Sequence, residues 1–276
     1  MIEDKAKIKI YSTREERLAE YHGSDRVISS HDFKKELDEA KDKPSYSFLT
    51  QIPSLDKYTE GFETGELIVI SGYTGHGKTS LCQSFTTSFA KQGINTLWFS
   101  YEMPPRQFFA KFPNELPLFY LPREVKDKAL IWLEDRIIEA KIKFNARAIV
   151  IDHLHFLIDL VQGKHPSLEI GTIVRALKQL AMRHNVVIFL IAHTSMPKGY
   201  KEPGLEDIRD SSFITQEADA AMVIHRIRPK GKKIYGNEAE ITILKHRRMG
   251  TMGKVIRVLY KDKQFYEVDR NQDDQS

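Results

Sequence analysis

The sequence predicts an α/β fold in which a mostly parallel sheet is covered by helices on both faces. Four apolar runs, ELIVISG, NTLWFS, AIVID and VVIFLIA, occur between residues 66 and 192. Three segments of helical composition, 78–92, 126–144 and 167–184, alternate with these runs. Continuous apolar runs, as opposed to alternating ones, are typical of strands that are buried on both faces of a parallel sheet. Their alternation with helices indicates a doubly wound core.

Beyond residue 218 the pattern changes to shorter strands that are separated by turns containing glycine. The runs are AAMVIHRI, AEITILKHR, KVIRVLY and QFYEV. Such a series indicates an antiparallel extension of the sheet. We therefore expect one domain over residues 46–270, followed by a disordered tail at 271–276.

The first 45 residues are charged and rich in turns, and we interpret them as an arm of linker helices. Ser12 followed by Glu15 predicts a capping box that opens a short helix, and a second helix is predicted from His31 to Asp42. The apolar residues of that second helix lie on one face: Phe33, Leu37 and Ala40. Because the stripe is narrow and the rest of the helix is charged, we expect it to need a partner surface.

Composition limits the classes of protein that this chain can belong to. Its 276 residues are 41% hydrophobic, which is ordinary for a globular protein with a core. The net charge of +4 is small, so a nucleic-acid surface would have to be local. A single cysteine, Cys82, excludes an internal disulfide and fits a reducing compartment. No apolar run is long enough for a membrane span, so we expect a soluble cytoplasmic protein without a membrane partner.

Residues 72–79 read GYTGHGKT and match the phosphate-binding pattern G-x-x-x-x-G-K-[ST], between a strand and a helix that begins near Lys78. Backbone N–H groups of such a loop bind phosphates, and the helix N-terminus adds its positive dipole end. We expect Lys78 to neutralise the β- and γ-phosphates and Thr79 to bind Mg²⁺. The predicted nucleotide-binding residues are Gly72, Tyr73, Thr74, Gly75, His76, Gly77, Lys78, Thr79 and Ser80.

Hydrolysis also needs a second ligand for the metal ion and a group that orients water. Asp152 ends the strand AIVID, where a carboxylate would emerge beside the phosphate loop; the alternative is a helix cap or a solvated loop residue. Glu102 follows NTLWFS at the same edge and could polarise water, although a surface glutamate before two prolines would look the same. His193 follows VVIFLIA and could contact the γ-phosphate or be a structural loop histidine.

Five segments together resemble the RecA-like motor domain of DnaB-type replicative helicases, and within that family the phage and mitochondrial (Twinkle-like) branch. They are SLDKYTEGFETGELIVISGYTGHGKTS, LWFSYEMP, IVIDHL, DIRDSSFITQEADAAMVIHR and AEITILKHRRMGTMGKV. The resemblance covers about residues 48–268, in the order that the family has. His193 stands where bacterial members have glutamine and where the phage branch has histidine.

The resemblance implies roles that spacing alone does not give. It makes Glu102 the catalytic glutamate, and it makes Arg247, with Lys245, a finger that reaches the nucleotide of a neighbouring subunit. Without the resemblance, KHRR would be interpreted as a solvated basic strand end. It further implies ATP, or another NTP or dNTP, with Mg²⁺ as cofactors, and a hexameric ring as the assembly. The setting would be a bacterial cytoplasm or a phage-infected host cell.

In this family, loops that face the channel of the ring bind single-stranded DNA. The matching segments are 153–166 and 194–210, and their basic residues are the DNA-binding candidates: Lys164, Lys198, Lys201 and Arg209. Packing beside the sheet is the alternative for the first segment, which is mostly apolar near its start. Neither segment has a pattern typical of base reading, so we expect sequence-tolerant binding.

The sequence thus favours an ATP-dependent replicative helicase motor that translocates on single-stranded DNA. Two alternatives remain at this stage. One is a recombination or repair ATPase that coats DNA as a filament, and the other is a nucleotide-switched interaction protein of the clock or signalling type. The sequence contains no primase or collar domain. We therefore expect either a naturally minimal protein, as in some phages or plasmids, or a separate primase or loader as a partner.

Overall fold

A computed structural model describes residues 13–23, 26–39, 47–100, 102–124, 130–153, 166–193, 216–229 and 235–268. The chain divides into two units, residues 1–45 and residues 46–276, and each is described by itself. The predicted tail at 271–276 lies outside the described residues.

The first unit contains helix α1 (Arg14–Ala19) and helix α2 (Ser30–Glu39). The predicted cap of α1 is wrong by one residue: the helix begins at Arg14, and Thr13 accepts the N–H of Glu16 at 3.2 Å. Ser29 immediately precedes helix α2, and its Oγ accepts the backbone N–H of Asp32 at 3.0 Å. Phe33 is 54% exposed. The side chain of Leu37, and Ala40, lie outside the described residues.

In the second unit the described strands form a single eight-stranded sheet with the order β2-β3-β4-β1-β5-β6-β7-β8. The strands are β1 (Leu67–Ser71), β2 (Asn95–Ser100), β3 (Ala146–Asp152), β4 (Val187–Ile191), β5 (Ala220–Arg226), β6 (Glu238–His246), β7 (Lys254–Lys261) and β8 (Gln264–Glu267). Strands β1 to β5 pair in parallel, and β6, β7 and β8 continue the sheet antiparallel. The predicted fold class is confirmed.

Helices cover both faces of this sheet. They are α3 (Pro53–Thr59), α4 (Lys78–Lys91), α5 (Pro105–Ala110), α6 (Leu130–Phe144) and α7 (Pro166–His184). One core cluster includes residues of α4 and α5, and a second one includes residues of α6 and α7. Because side chains alternate along a strand, Ile68 and Ile70 of β1 enter the first cluster while Leu67 and Val69 enter the second. Both faces are thus apolar, which explains the continuous runs.

The outer strand β2 is covered along its free side by the segment around Tyr120. Trp98 donates its backbone N–H to the carbonyl of Tyr120 at 2.8 Å, and Tyr120 donates to the carbonyl of Thr96 at 2.8 Å. A covered edge is protected from pairing with another chain. The sequence pattern predicted neither this segment nor the short helices α3 and α5. Among the described helices, none has the length and apolarity that crossing a membrane requires.

Leu190 and Leu118 provide a matched test of the core. Leu190, in β4, is fully buried, whereas Leu118 is 62% exposed. We expect Leu190→Ala to lower the free energy of unfolding by about 2–5 kcal/mol, because it removes buried surface and leaves a cavity. The same truncation at Leu118 should change it by less than about 0.5 kcal/mol. Urea denaturation of both variants measures the difference, and equal losses would contradict the assignment of this core.

Candidate functional site

The parallel strands bring four chain segments to one edge of the sheet. In the register of the ladder, Ile70 is aligned with Ile191, Ile191 with Asp152, and Asp152 with Ser100. Strands β1, β2, β3 and β4 therefore end in one row. The chain leaves that row at the glycine-rich loop, at Glu102, at Asp152 and at His193, so the topology gathers every candidate that was predicted for this edge.

The glycine-rich loop is held between β5 and β8. Gly72 has φ +145, and a Cβ there would lie 2.3 Å from the carbonyl oxygen of Ile224. Gly77 has φ +101, and a Cβ there would lie 3.0 Å from the ring of Phe265. The two glycines are therefore required by close packing as well as by backbone conformation. At the tip of the loop Thr74 is exposed.

Lys78, the first residue of α4, folds over this loop. Its Nζ donates to the carbonyl of Gly72 at 2.8 Å and to that of Tyr73 at 3.1 Å. Burial lowers the pKa of Lys78, while the charges of Glu102 and Asp152 raise it. The ammonium group is thus held inside the loop by weak carbonyl acceptors, which phosphate oxygens could replace.

Thr79 and Asp152 meet at the base of the loop. The Thr79 hydroxyl donates to Asp152 Oδ2 at 2.8 Å, and Asp152 is completely buried. Burial raises the pKa of Asp152, the nearby charge of Glu102 raises it further, and the hydrogen bond from Thr79 lowers it. Among the described residues no group donates a hydrogen bond to Asp152 Oδ1. A hydroxyl and a buried carboxylate with an unmatched oxygen fit Mg²⁺, which prefers oxygen ligands.

Glu102 lies at the mouth of this arrangement with an exposed side chain. Its charge raises the pKa of both Lys78 and Asp152, so its carboxylate is close to each of them. That is where a group that orients water beside a γ-phosphate would have to be. After the ends of β3 and β4, the rings of His153 and His193 lie edge to face at 4.5 Å.

His76 connects the loop to the end of β5, a contact that could not be predicted from the sequence. Its Nδ1 accepts the backbone N–H of Arg226 at 3.1 Å, and its ring lies between Tyr73 at 5.3 Å and Tyr235 at 4.8 Å. Burial and the neighbouring charges, with His225 first among them, lower the pKa of His76 to about 4. The imidazole is therefore neutral at physiological pH. The only indication of this contact in the sequence was the presence of an aromatic residue and a histidine within the loop.

Lys245 and Arg247 lie at the opposite edge of the sheet, where the parallel strands begin. Strand β6 is antiparallel to β5, so its end lies beside the beginning of β5, with Lys245 aligned with Ala221. Arg247 is 53% exposed and donates to the carbonyl of Gln216 at 2.7 Å. Lys245 donates to the carbonyl of Ala218 at 2.9 Å, and burial lowers its pKa. The length of β1, roughly 17 Å for five residues at ~3.3 Å each, separates this edge from the loop.

The four DNA-binding candidates, Lys164, Lys198, Lys201 and Arg209, lie outside the described residues. The structure therefore places the nucleotide and metal candidates together, places the two finger candidates apart from them, and leaves the DNA-binding residues as predictions.

The sequence of this chain is similar to that of a known family. Residues 48–115 and 124–267 match the family model of the DnaB-like helicase C terminal domain. The replicative DNA helicase DnaB of Mycoplasma genitalium is 30% identical, in an alignment that covers 73% of this chain and 52% of that protein. The replicative DNA helicase DnaB of Haemophilus influenzae is 25% identical, in an alignment that covers 92% of this chain and 63% of that protein. The chain thus spans about half the length of the first of these relatives.

Two solved structures have the same fold. A DnaB-like replicative helicase, solved in a study of its interactions with primase, superposes with a TM-score of 0.71 at 19% identity and covers 90% of this chain and 69% of its own. A second structure, of an ATPase domain, superposes with a TM-score of 0.71 at 17% identity over 89% of this chain and all of its own. The phosphate loop, the buried Thr79–Asp152 pair and the matched residues lead to one conclusion: the chain belongs to the DnaB-like helicase C-terminal domain family.

Proposed function

We propose that this chain is an ATP-driven, Mg²⁺-dependent motor that translocates on single-stranded DNA as a hexameric ring and unwinds duplex DNA. The observation that carries the proposal is that the predicted site residues lie at two opposite edges of the sheet. The phosphate loop, Asp152 and Glu102 occupy one edge, and Arg247 occupies the other. If Arg247 is the predicted finger, it lies too far from its own phosphate loop to act there, and its target is the site of another subunit.

The chemistry at the first edge follows from groups that are already in place. Lys78 exchanges the loop carbonyls for the β- and γ-phosphates of ATP or of another NTP or dNTP. Thr79 and Asp152 provide the oxygen ligands of Mg²⁺, which when bound neutralises charge between the phosphates. Glu102 orients the attacking water, and His193 lies where a side chain can contact the γ-phosphate.

The second edge contributes charge from the neighbouring subunit. Arg247, with Lys245 beside it, adds positive charge as negative charge develops on the transferred phosphoryl group, and such a finger raises the rate by about 10³–10⁵. Joining one edge of a subunit to the opposite edge of the next gives a head-to-tail interface, which closes into a ring when the rotation permits. In this proposal the stripe on α2 docks on the adjacent subunit and strengthens the ring.

The relatives support a helicase motor over the two alternatives. Those reported above are named replicative DNA helicases, and none is named a recombination filament or a clock protein. Single-stranded DNA is the proposed track, with Lys164, Lys198, Lys201 and Arg209 as its phosphate contacts. A separate primase or loader is the proposed partner, because one fold relative was solved for its interactions with primase.

Strand displacement on a forked DNA duplex tests the proposal. We expect unwinding that depends on ATP and Mg²⁺, together with hydrolysis that single-stranded DNA stimulates. A closed ring in electron micrographs would exclude a filament. Hydrolysis that is indifferent to DNA, without any unwinding, would contradict the proposal and favour a nucleotide-switched interaction protein.

Lys78→Ala and Glu102→Gln should separate binding from chemistry. We expect Lys78→Ala to abolish hydrolysis without unfolding the protein, because the Lys78 ammonium group contacts loop carbonyls rather than the core. Glu102→Gln should bind nucleotide normally and hydrolyse it at least about 10²-fold more slowly, since the amide keeps the shape and loses the charge. Nucleotide titration and steady-state hydrolysis measure both. Loss of binding in Glu102→Gln would make Glu102 a structural residue.

Mixing inactive variants should reveal the shared site. Arg247→Ala alone should be nearly inactive, because every site then lacks its finger. A Lys78→Ala subunit keeps an intact Arg247, and an Arg247→Ala subunit keeps an intact phosphate loop. A mixed ring therefore contains interfaces at which an intact loop faces an intact Arg247. We expect hydrolysis to return on mixing. If the two variants co-assemble, as fluorescence transfer between labelled subunits can establish, and no activity returns, Arg247 does not act on a neighbouring site.

A further inference from the structure

Asp219, immediately before β5, joins three parts of the second unit through one carboxylate. Its Oδ2 accepts the backbone N–H of Leu67 at 2.8 Å and the Nζ of Lys178 at 2.6 Å. Its Oδ1 lies 3.5 Å from Nη1 of Arg247. The residue is 8% exposed, whereas Arg247 is 53% exposed at its side chain.

Backbone carbonyls beside Asp219 hold the same basic residues. Arg247 donates its backbone N–H to the carbonyl of Asp219 at 2.7 Å and its Nη2 to the carbonyl of Gln216 at 2.7 Å. Lys245 donates to the carbonyl of Ala218. Residues 216–219 are therefore the support on which the end of β6 lies, and Asp219 adds the only carboxylate that the described residues offer to Arg247.

The two oxygens of Asp219 have different neighbours. Oδ2 is fixed by Leu67, which begins β1, and by Lys178 of α7. Oδ1 has a longer contact with a half-exposed guanidinium group. Arg247 can therefore move toward a ligand without disturbing the anchored oxygen, and its starting position depends on where β1 begins.

We propose that Asp219 is a positioning residue: it sets the orientation from which Arg247 reaches the nucleotide of the neighbouring subunit, and it ties that orientation to the strand that leads into its own phosphate loop. The inference rests on the proposed function, because it assumes that Arg247 acts on a neighbouring site. A misplacement of about 1 Å at a catalytic group can cost roughly 10²-fold in rate, which sets the size of effect to expect.

Asp219→Asn tests the contact selectively. The amide oxygen can still accept from Leu67 and Lys178, which leaves the NH₂ group facing Arg247, where a donor meets a donor. We expect kcat for hydrolysis to fall by about 10- to 100-fold with little change in nucleotide affinity. The matched control is Glu139→Gln, which neutralises a carboxylate of α6 and breaks its pairs with Arg136 at 2.7 Å and Lys143 at 2.6 Å. Its kcat should stay within about twofold of the wild type, since Glu139 belongs neither to the nucleotide site nor to the support of Arg247.

Complementation shows through which site Asp219 acts. If it acts through the finger, Asp219→Asn mixed with Lys78→Ala should gain activity, because Lys78→Ala supplies the finger and Asp219→Asn supplies the loop. Asp219→Asn mixed with Arg247→Ala should gain none. The opposite pattern would mean that Asp219 serves its own phosphate loop, and it would overturn the inference. A reference mixture of Lys78→Ala with Arg247→Ala that stays inactive would overturn the shared site, and this inference with it.

A double-mutant cycle gives an independent check. In the Arg247→Ala background, Asp219→Asn should have no further effect on kcat, because the group that it positions is absent. A further loss of tenfold or more would overturn the inference. Should Asp219→Asn unfold, Asp219→Glu keeps the charge and shifts it by one methylene, and the same complementation pattern is expected. An unaltered kcat in a folded Asp219→Glu and in Asp219→Asn would also overturn it.

Discussion

The hydrogen bond between Thr79 and Asp152 is the interaction on which the rest of the site depends. It joins residues 73 positions apart in the sequence, one at the start of α4 and the other at the end of β3. Asp152 is aligned with Ser100 of β2 on one side and with Ile191 of β4 on the other. A change in the register of either strand would therefore move the carboxylate. Burying the charge of Asp152 costs free energy, and a hydrogen-bond donor and a cation beside the carboxylate lower that cost.

Much of this arrangement could be predicted from the sequence because it depends on rules that act along short stretches. A strand followed by GYTGHGKT and a helix defines the phosphate loop wherever it occurs. Asp152 and Glu102 could be assigned to one edge because parallel strands all end on the same side. The predicted boundaries of two helices were close to the observed ones because they also depend on local sequence. Helix α4 covers 78–91 where 78–92 was predicted, and α7 begins at Pro166 where 167 was predicted.

Contacts between distant segments could not be predicted in this way. Nothing near His76 in the sequence indicates that its Nδ1 meets the backbone of Arg226, 150 residues away. Asp219 lies in a segment that resembles a family motif, but its partners Leu67 and Lys178 come from two other elements. The cap of α1 was misplaced because serine and threonine are adjacent there, and both are good caps. Helices α3 and α5 are too short to show a reliable period.

The packing of Phe265 under the phosphate loop has a consequence for how the protein folds. Phe265 lies against Gly77, and its backbone N–H donates to Ser84 of α4 at 3.0 Å, across 181 positions of sequence. Contacts of such long range are slow to form, since a large loop of chain must close before they are made. The first strand and helix of the site are neighbours in sequence, whereas their support from β8 must wait for the antiparallel strands to assemble. During refolding, nucleotide affinity should therefore appear later than the bulk of the helical structure.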